Sequence, residues 1–230
     1  MSITPESQDT GRRVLCYTKM VMFSDVTGFQ LIIILGSIIL SMGFHEAMHA
    51  FTSHWLGDTT AKDQGRLTLN PLKHIDLLTT VLLPVGLILL GLQPFFIAKP
   101  VPFNPNRVKY DEFGAALIGI AGPLTNLALA IVTAVVIRVF GIAVGTDSFL
   151  VAQTFLIINL NFFVFNMIPF PPLDGSRLLY AFAPESLQEF MYQIESRGLV
   201  SILVFMFLLF PLIGPVVQHS VSGLYTILLG

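Results

Sequence analysis

Four stretches of this chain, residues 29–50, 113–140, 149–169 and 199–213, are apolar over most of their length. They approach or exceed the roughly 20 residues that a helix needs to cross a hydrocarbon core. Inside a bilayer no water satisfies a peptide group, so each stretch must close its hydrogen bonds within itself, as a helix. Composition agrees, with 54% apolar and only 11% charged residues, against about 25% charged in ordinary soluble domains. A soluble domain is excluded, and the fold class expected is an all-α polytopic membrane protein, a bundle of four to five membrane helices. Basic and acidic residues nearly balance, 12 against 14, with no basic cluster, so nucleic acid is not an expected partner. The lone Cys16 builds neither an internal disulfide nor a thiolate metal site, which leaves any metal to His, Asp and Glu.

Residues 1–27 carry Arg12, Arg13 and Lys19 but no apolar run followed by a cleavage site, so they read as a polar N-terminal tail. Residues 28–230 are expected to form a single membrane-embedded domain. Its first helix should run from Gly28 to Trp55 and stop at Leu56-Gly57-Asp58. The polar-apolar alternation of 65–70 and the proline-rich run 99–110 predict a short membrane-associated β-hairpin. Between them, 75–98 is apolar but interrupted by Pro84, Gly86, Gly91 and Pro94, so it should be broken or re-entrant. Helices are expected over 112–140 and 149–167, a short surface helix or two over 176–196, and a last membrane segment kinked at Pro211 and Pro215.

His45-Glu46-Ala47-Met48-His49 is a His-Glu-x-x-His sequence. On a helix, the i, i+4 spacing puts both imidazoles on one face with Glu46 beside them. With five His in the chain, composition alone would produce the pattern about three times per thousand such chains. Ionisable residues at membrane depth are costly, and three of them within five residues call for a metal partner. Two imidazoles leave a tetrahedral zinc short of one protein donor. Thr52 and Trp55 stand where a metzincin extension needs Gly and His, and no Glu lies between Glu46 and Glu112. His54 is about 180° round the helix from His45. Asp174, held between Pro172 and Gly175 just past a membrane helix, is the better third donor.

With these residues the sequence resembles the site-2 protease family of intramembrane zinc metalloproteases. The resemblance lies in His45 to His49, in Gly122-Pro123-Leu124-Thr125-Asn126, and in the run from Asn166 through Pro169-Phe170-Pro171-Pro172-Leu173-Asp174-Gly175. It implies His45, His49 and Asp174 as ligands of one Zn2+ per chain, Glu46 as general base and Asn166 as the oxyanion donor. Asn126 is expected to serve packing or support. The implied activity is endoproteolysis in or near membrane-spanning segments of other proteins, so the partners are a membrane-spanning substrate and the lipid bilayer. The implied location is a prokaryotic inner membrane, with the active site toward the cytoplasm. Ser176 stands where many relatives have a second glycine, and no stretch is long enough for a PDZ or CBS domain. The alternative reading, a non-catalytic metal-binding protein or divalent-metal carrier, has no use for the carboxylate of Glu46.

Topology adds an expectation. His45 to His49 and Asp174 both sit near the exit ends of their helices, and a full crossing by 75–98 would put them on opposite membrane faces. Metal-ligand bonds of about 2 Å forbid that, so 75–98 should enter and return without crossing, or be otherwise broken. Loop charge does not decide the matter, because both arrangements put eight basic residues on one side and four on the other. The edges of 65–70 and 101–103 are expected either to offer a strand to an unwound substrate or to form a merely structural hairpin.

Overall fold

The computed structural model describes residues 27–92, 95–104 and 107–230. Of the expected polar tail, all but Thr27 lies outside these residues. Helix α1 (Gly28–Trp55) opens on a capping box in which Thr27 Oγ1 accepts the Gln30 amide and Gln30 Oε1 accepts the Thr27 amide. That satisfies amides that a helix start otherwise leaves without partners. α1 stops where Gly57 takes φ 104°, a conformation that costs a residue without Cβ little. After α2 (Thr60–Asp63) and a 3-10 turn (Pro71–His74), a π-helical turn (Leu77–Leu82) runs into α3 (Leu83–Leu89). Then come α4 (Asp111–Val139), α5 (Asp147–Asn166), α6 (Gly175–Tyr180), α7 (Glu185–Glu195), α8 (Leu199–Val204), a second π turn (Phe205–Leu209) and α9 (Phe210–Leu229).

Among the described residues four stretches are long and apolar enough to cross a membrane: α1, α4, α5 and the continuous run Leu199–Leu229. The all-α class is borne out, at the lower of the expected helix numbers. Large apolar side chains such as Ile32, Val139 and Leu212 are exposed along these helices, as a lipid-facing surface requires. The kink expected at Pro211 takes the form of a widened turn. Proline has no N–H, and its ring crowds the carbonyl four residues earlier, here Phe207 inside the π turn.

The expected β-hairpin is overturned, because no strand occurs among the described residues. The peptide groups of 65–70 are spent on tight turns: Arg66 N donates to Ala61 O, Thr68 N to Arg66 O and Asn70 N to Thr68 Oγ1. Residues 95–104 are extended but tied to other partners. Ile97 O accepts from Thr79 and Thr80 hydroxyls, Lys99 N donates to His74 O, and Lys99 O accepts from Arg66. Pro100 and Pro102 have no amide to offer a ladder. The run Leu77–Leu89 is about 20 Å long at 1.5 Å per residue, and the extended segment beyond it bonds back to its start at Thr79 and Thr80.

The core sits where α4, α5 and α9 meet, around Ala130, Ala134, Leu156, Leu160 and Val221. Alanines on α4 let the leucines of α5 approach its backbone, so the contact is gained by close packing. Leu156 and Leu160 have no exposed surface. Replacing Leu156 with Ala should cost on the order of 2 kcal/mol, the low end for a buried leucine because lipid solvates the side chain in the unfolded reference. Thermal unfolding in detergent checks this, and a melting point equal to wild type would show that this contact does not hold the bundle.

Candidate metal centre

His45 and His49 lie one helical turn apart on α1 and are 7% and 8% exposed. Asp174 reaches them from the turn that joins α5 to α6. That turn folds back so closely that a Cβ on Gly175 would stand 2.6 Å from the Met167 carbonyl carbon, so only glycine fits. His45 Nε2, His49 Nε2 and Asp174 Oδ2 lie 2.9, 3.0 and 3.4 Å from one another. Zinc bonds of about 2.0–2.1 Å in a tetrahedron would set adjacent donors about 3.3 Å apart. The three atoms therefore match one metal ion, and they form a group suited to hold it.

The hydrogen bonds on the far side of each ring agree. His49 Nδ1 donates to the carbonyl of Ile118 at 2.7 Å, an acceptor only. His45 Nδ1 meets Asn126 Oδ1 at 2.6 Å. With hydrogens on both Nδ1 atoms, neutral rings turn lone pairs at Nε2 toward each other and toward a carboxylate. Such a cluster is repulsive until a cation sits in it. α4 supplies the room: a Cβ on Gly122 would lie 2.6 Å from His45 Nε2 and closer still to His49 Nε2. Gly122 and Asn126 are four apart on one face of α4, so one clears the metal side of His45 while the other holds its far side.

Glu46 is 8% exposed and its Oε2 accepts the Val101 amide at 3.0 Å. Three residues on, the Asn104 amide donates to Asp58 Oδ2 at 2.7 Å. Burial would push the Asp58 carboxyl up, but hydrogen bonds from Thr60, Asn104 and Ser53 hold it below the ordinary carboxylate range. The extended segment is thus held by two carboxylates, Glu46 on α1 and Asp58 in the loop just past its end. Above it lies a cavity of about 650 Å³, lined by His45, Glu46, Asn166 and Asp174 among aromatic residues. Asn166 donates to Phe162 O at 3.0 Å from the end of α5. At the edge of the cavity Arg177 pairs with Glu195 and stacks near Phe103 and Tyr180, 5.4 and 5.5 Å from their ring centres.

All five residues singled out in the sequence for chemistry therefore face one cavity. His54 does not join them and has no hydrogen-bond partner on its buried Nδ1. Sequence reasoning missed the Val101 amide, the carboxylate of Asp58 and the buried amide of Asn159. The first is a backbone group without a signature. Asn159 did leave a signal, an amide inside an apolar helix.

The sequence profile described as Peptidase family M50 matches residues 141–210. "Putative zinc metalloprotease YwhC" of Bacillus subtilis (strain 168) is 37% identical over 177 residues, covering 73% of this chain and 77% of that protein. "Putative zinc metalloprotease Rip2" of Mycolicibacterium smegmatis is 29% identical over 144 residues, 63% of this chain and 54% of that protein. The Rip2 protein of Mycobacterium tuberculosis (strain H37Rv) is 26% identical over 179 residues, 75% of this chain and 66% of that protein. No solved structure matches the chain significantly.

Since a methyl group on residue 122 would fill the space between the two imidazoles, Gly122→Ala should weaken zinc binding by about tenfold or more while helix content stays unchanged. Zinc affinity of the purified variant, measured by chelator competition beside its circular dichroism spectrum, tests this. Wild-type zinc affinity in Gly122→Ala would show that the ion does not lie between these rings.

Proposed function

Because the chain belongs to peptidase family M50, the site-2 protease family, we propose that it is a zinc-dependent intramembrane endopeptidase that hydrolyses peptide bonds in or near membrane-spanning segments. The observation that carries this reading is the convergence of His45 Nε2, His49 Nε2 and Asp174 Oδ2 on one point beside Glu46. His45, His49 and Asp174 hold one Zn2+, the two rings as neutral donors and Asp174 as the anionic one. When bound, zinc supplies Lewis acidity toward water and toward the scissile carbonyl. Glu46 takes a proton from the attacking water on its carboxylate and returns it to the leaving amine. The Val101 amide orients that carboxylate. Asn166 donates a side-chain N–H to the oxygen on which charge develops. The apolar and aromatic side chains among the cavity lining lower the dielectric around these charges and so strengthen their interactions. A carrier or plain metal-binding protein needs no base beside its ligands.

The substrate is a membrane-spanning segment that must be opened locally, because a helix keeps its amides bonded and its carbonyls shielded. It reaches the cavity from within the bilayer. The unit Leu77–Leu89 is too short for a hydrocarbon core of about 30 Å, and its return segment bonds back to its start, which supports re-entry without crossing. On that topology, residues 28–230 are one membrane-embedded catalytic domain with its site on the side of Lys62, Arg66, Lys73, Lys99, Arg107 and Lys109. The positive-inside tendency makes that side cytoplasmic, and bacterial relatives support a prokaryotic cell membrane.

Two measurements test this reading. Cleavage of a tagged single-span substrate by purified protein should be abolished in Glu46→Gln with zinc retained, and in Asp174→Ala with zinc lost. Asn166→Ala should lower kcat by about 10²–10³ with zinc retained. Undiminished cleavage by Glu46→Gln would refute the assignment of the base, and zinc without cleavage in wild type would turn the reading toward a carrier. For topology, Thr60→Cys and Arg107→Cys, each in a Cys16→Ala background, should be labelled from the same membrane face. Labelling from opposite faces would show that the segment between them crosses.

A further inference from the structure

Behind His45 a chain of amides runs through the middle of the bundle, joining α1, α4 and α5, and each member lacks exposed surface: Ser41, Asn126 and Asn159 are all at 0%. Asn126 Nδ2 donates to Ser41 O at 3.2 Å and to Asn159 Oδ1 at 2.9 Å. Asn159 Nδ2 donates to Ser41 Oγ and to Phe155 O, both at 2.8 Å. Every amide hydrogen of the two asparagines has an acceptor, and both amide oxygens are used. Two of the acceptors, Ser41 O and Phe155 O, are backbone carbonyls and can only accept. They fix the direction of the whole chain. Asn159 must turn its NH2 to Phe155 and Ser41, which leaves its oxygen for Asn126. Asn126 must then turn its NH2 to Ser41 and Asn159, which leaves its oxygen for His45.

A carbonyl oxygen at 2.6 Å from His45 Nδ1 requires a hydrogen on that nitrogen. A neutral ring with its hydrogen on Nδ1 carries its lone pair on Nε2, the atom that faces His49 and Asp174. Were Asn126 reversed, its NH2 would face Nδ1, the hydrogen would move to Nε2, and the ring would present a donor where a ligand is needed. We propose that Asn159, which touches neither metal nor substrate, is a positioning residue that sets the ligating tautomer of His45 through Asn126. The proposal rests on the reading of His45 as a zinc ligand. It also accounts for three polar side chains at membrane depth, where an apolar core would otherwise be expected.

The test compares zinc affinity, measured by chelator competition on the purified full-length chain, with the visible spectrum of the cobalt-substituted protein. Asn159→Leu keeps the volume and removes the amide. It should bind zinc about 10- to 100-fold more weakly, with an altered cobalt ligand-field spectrum. Ser41→Ala, which removes a single acceptor, should weaken binding in the same direction and less. Leu156→Ala loosens the same helix without touching the amide chain, and it should bind zinc as wild type does despite its lower melting point. Wild-type affinity and spectrum in both Asn159→Leu and Ser41→Ala would overturn the proposal, as would an equal loss of affinity in Leu156→Ala. Absence of zinc from wild type would overturn it together with the metalloprotease reading, whereas wild-type zinc and cleavage beside unchanged variants would remove this proposal alone.

Discussion

Three donor atoms have to meet within about 3.4 Å in a part of the protein where charge is costly, and much of the architecture follows from that demand. Two of them are cheap to bring together, because one helical turn on α1 aligns His45 with His49. The third is not. Asp174 lies 125 residues beyond His49 in the chain, so α4 and α5 must pack against α1, and the turn after α5 must fold back on itself at Gly175. Three close approaches in this geometry are made by residues without a side chain: Gly122 at the imidazoles, Gly119 against Arg177 and Asp174, Gly175 against Met167. The site is a consequence of how near three helices can come.

The same demand governs the polar groups. In an apolar bundle an unpaired amide costs several kcal/mol, so a polar group there is stable when its hydrogens have acceptors. The polar residues behind the two imidazoles meet this with short, complete sets: His49 on a carbonyl, His45 on Asn126, Asn126 and Asn159 on each other and on α1. The carboxylates of Glu46 and Asp58 take up two amides of the extended segment. One carboxylate thereby ties the extended segment to the helix that carries the two imidazoles, and that segment lines one wall of the cavity.

What the sequence disclosed and what it hid separate along physical lines. The membrane helices were legible because the hydrocarbon core demands a long apolar run, and the His pair because a helix fixes the relation between residues four apart. Asp174 was legible by elimination and by its constrained turn. The β-hairpin was misread because alternation in 65–70 describes side chains only, whereas a strand needs free peptide groups, and these were consumed by local turns and by Thr79, Thr80 and Arg66. The amide chain behind His45 stayed hidden because its members are 33 to 118 residues apart and no periodicity links them. Residue type alone hinted at it, since an Asn within an apolar helix needs a partner.

The central claim is that one zinc ion sits on two imidazoles and one carboxylate, and X-ray absorption at the zinc edge of the purified full-length protein tests it most directly. The account predicts one zinc per chain with only nitrogen and oxygen donors at about 2.0–2.2 Å, and outer-shell scattering from two imidazole rings. A spectrum with a sulfur donor at about 2.3 Å, with scattering from one ring or none, or from a protein that carries no zinc, would contradict it.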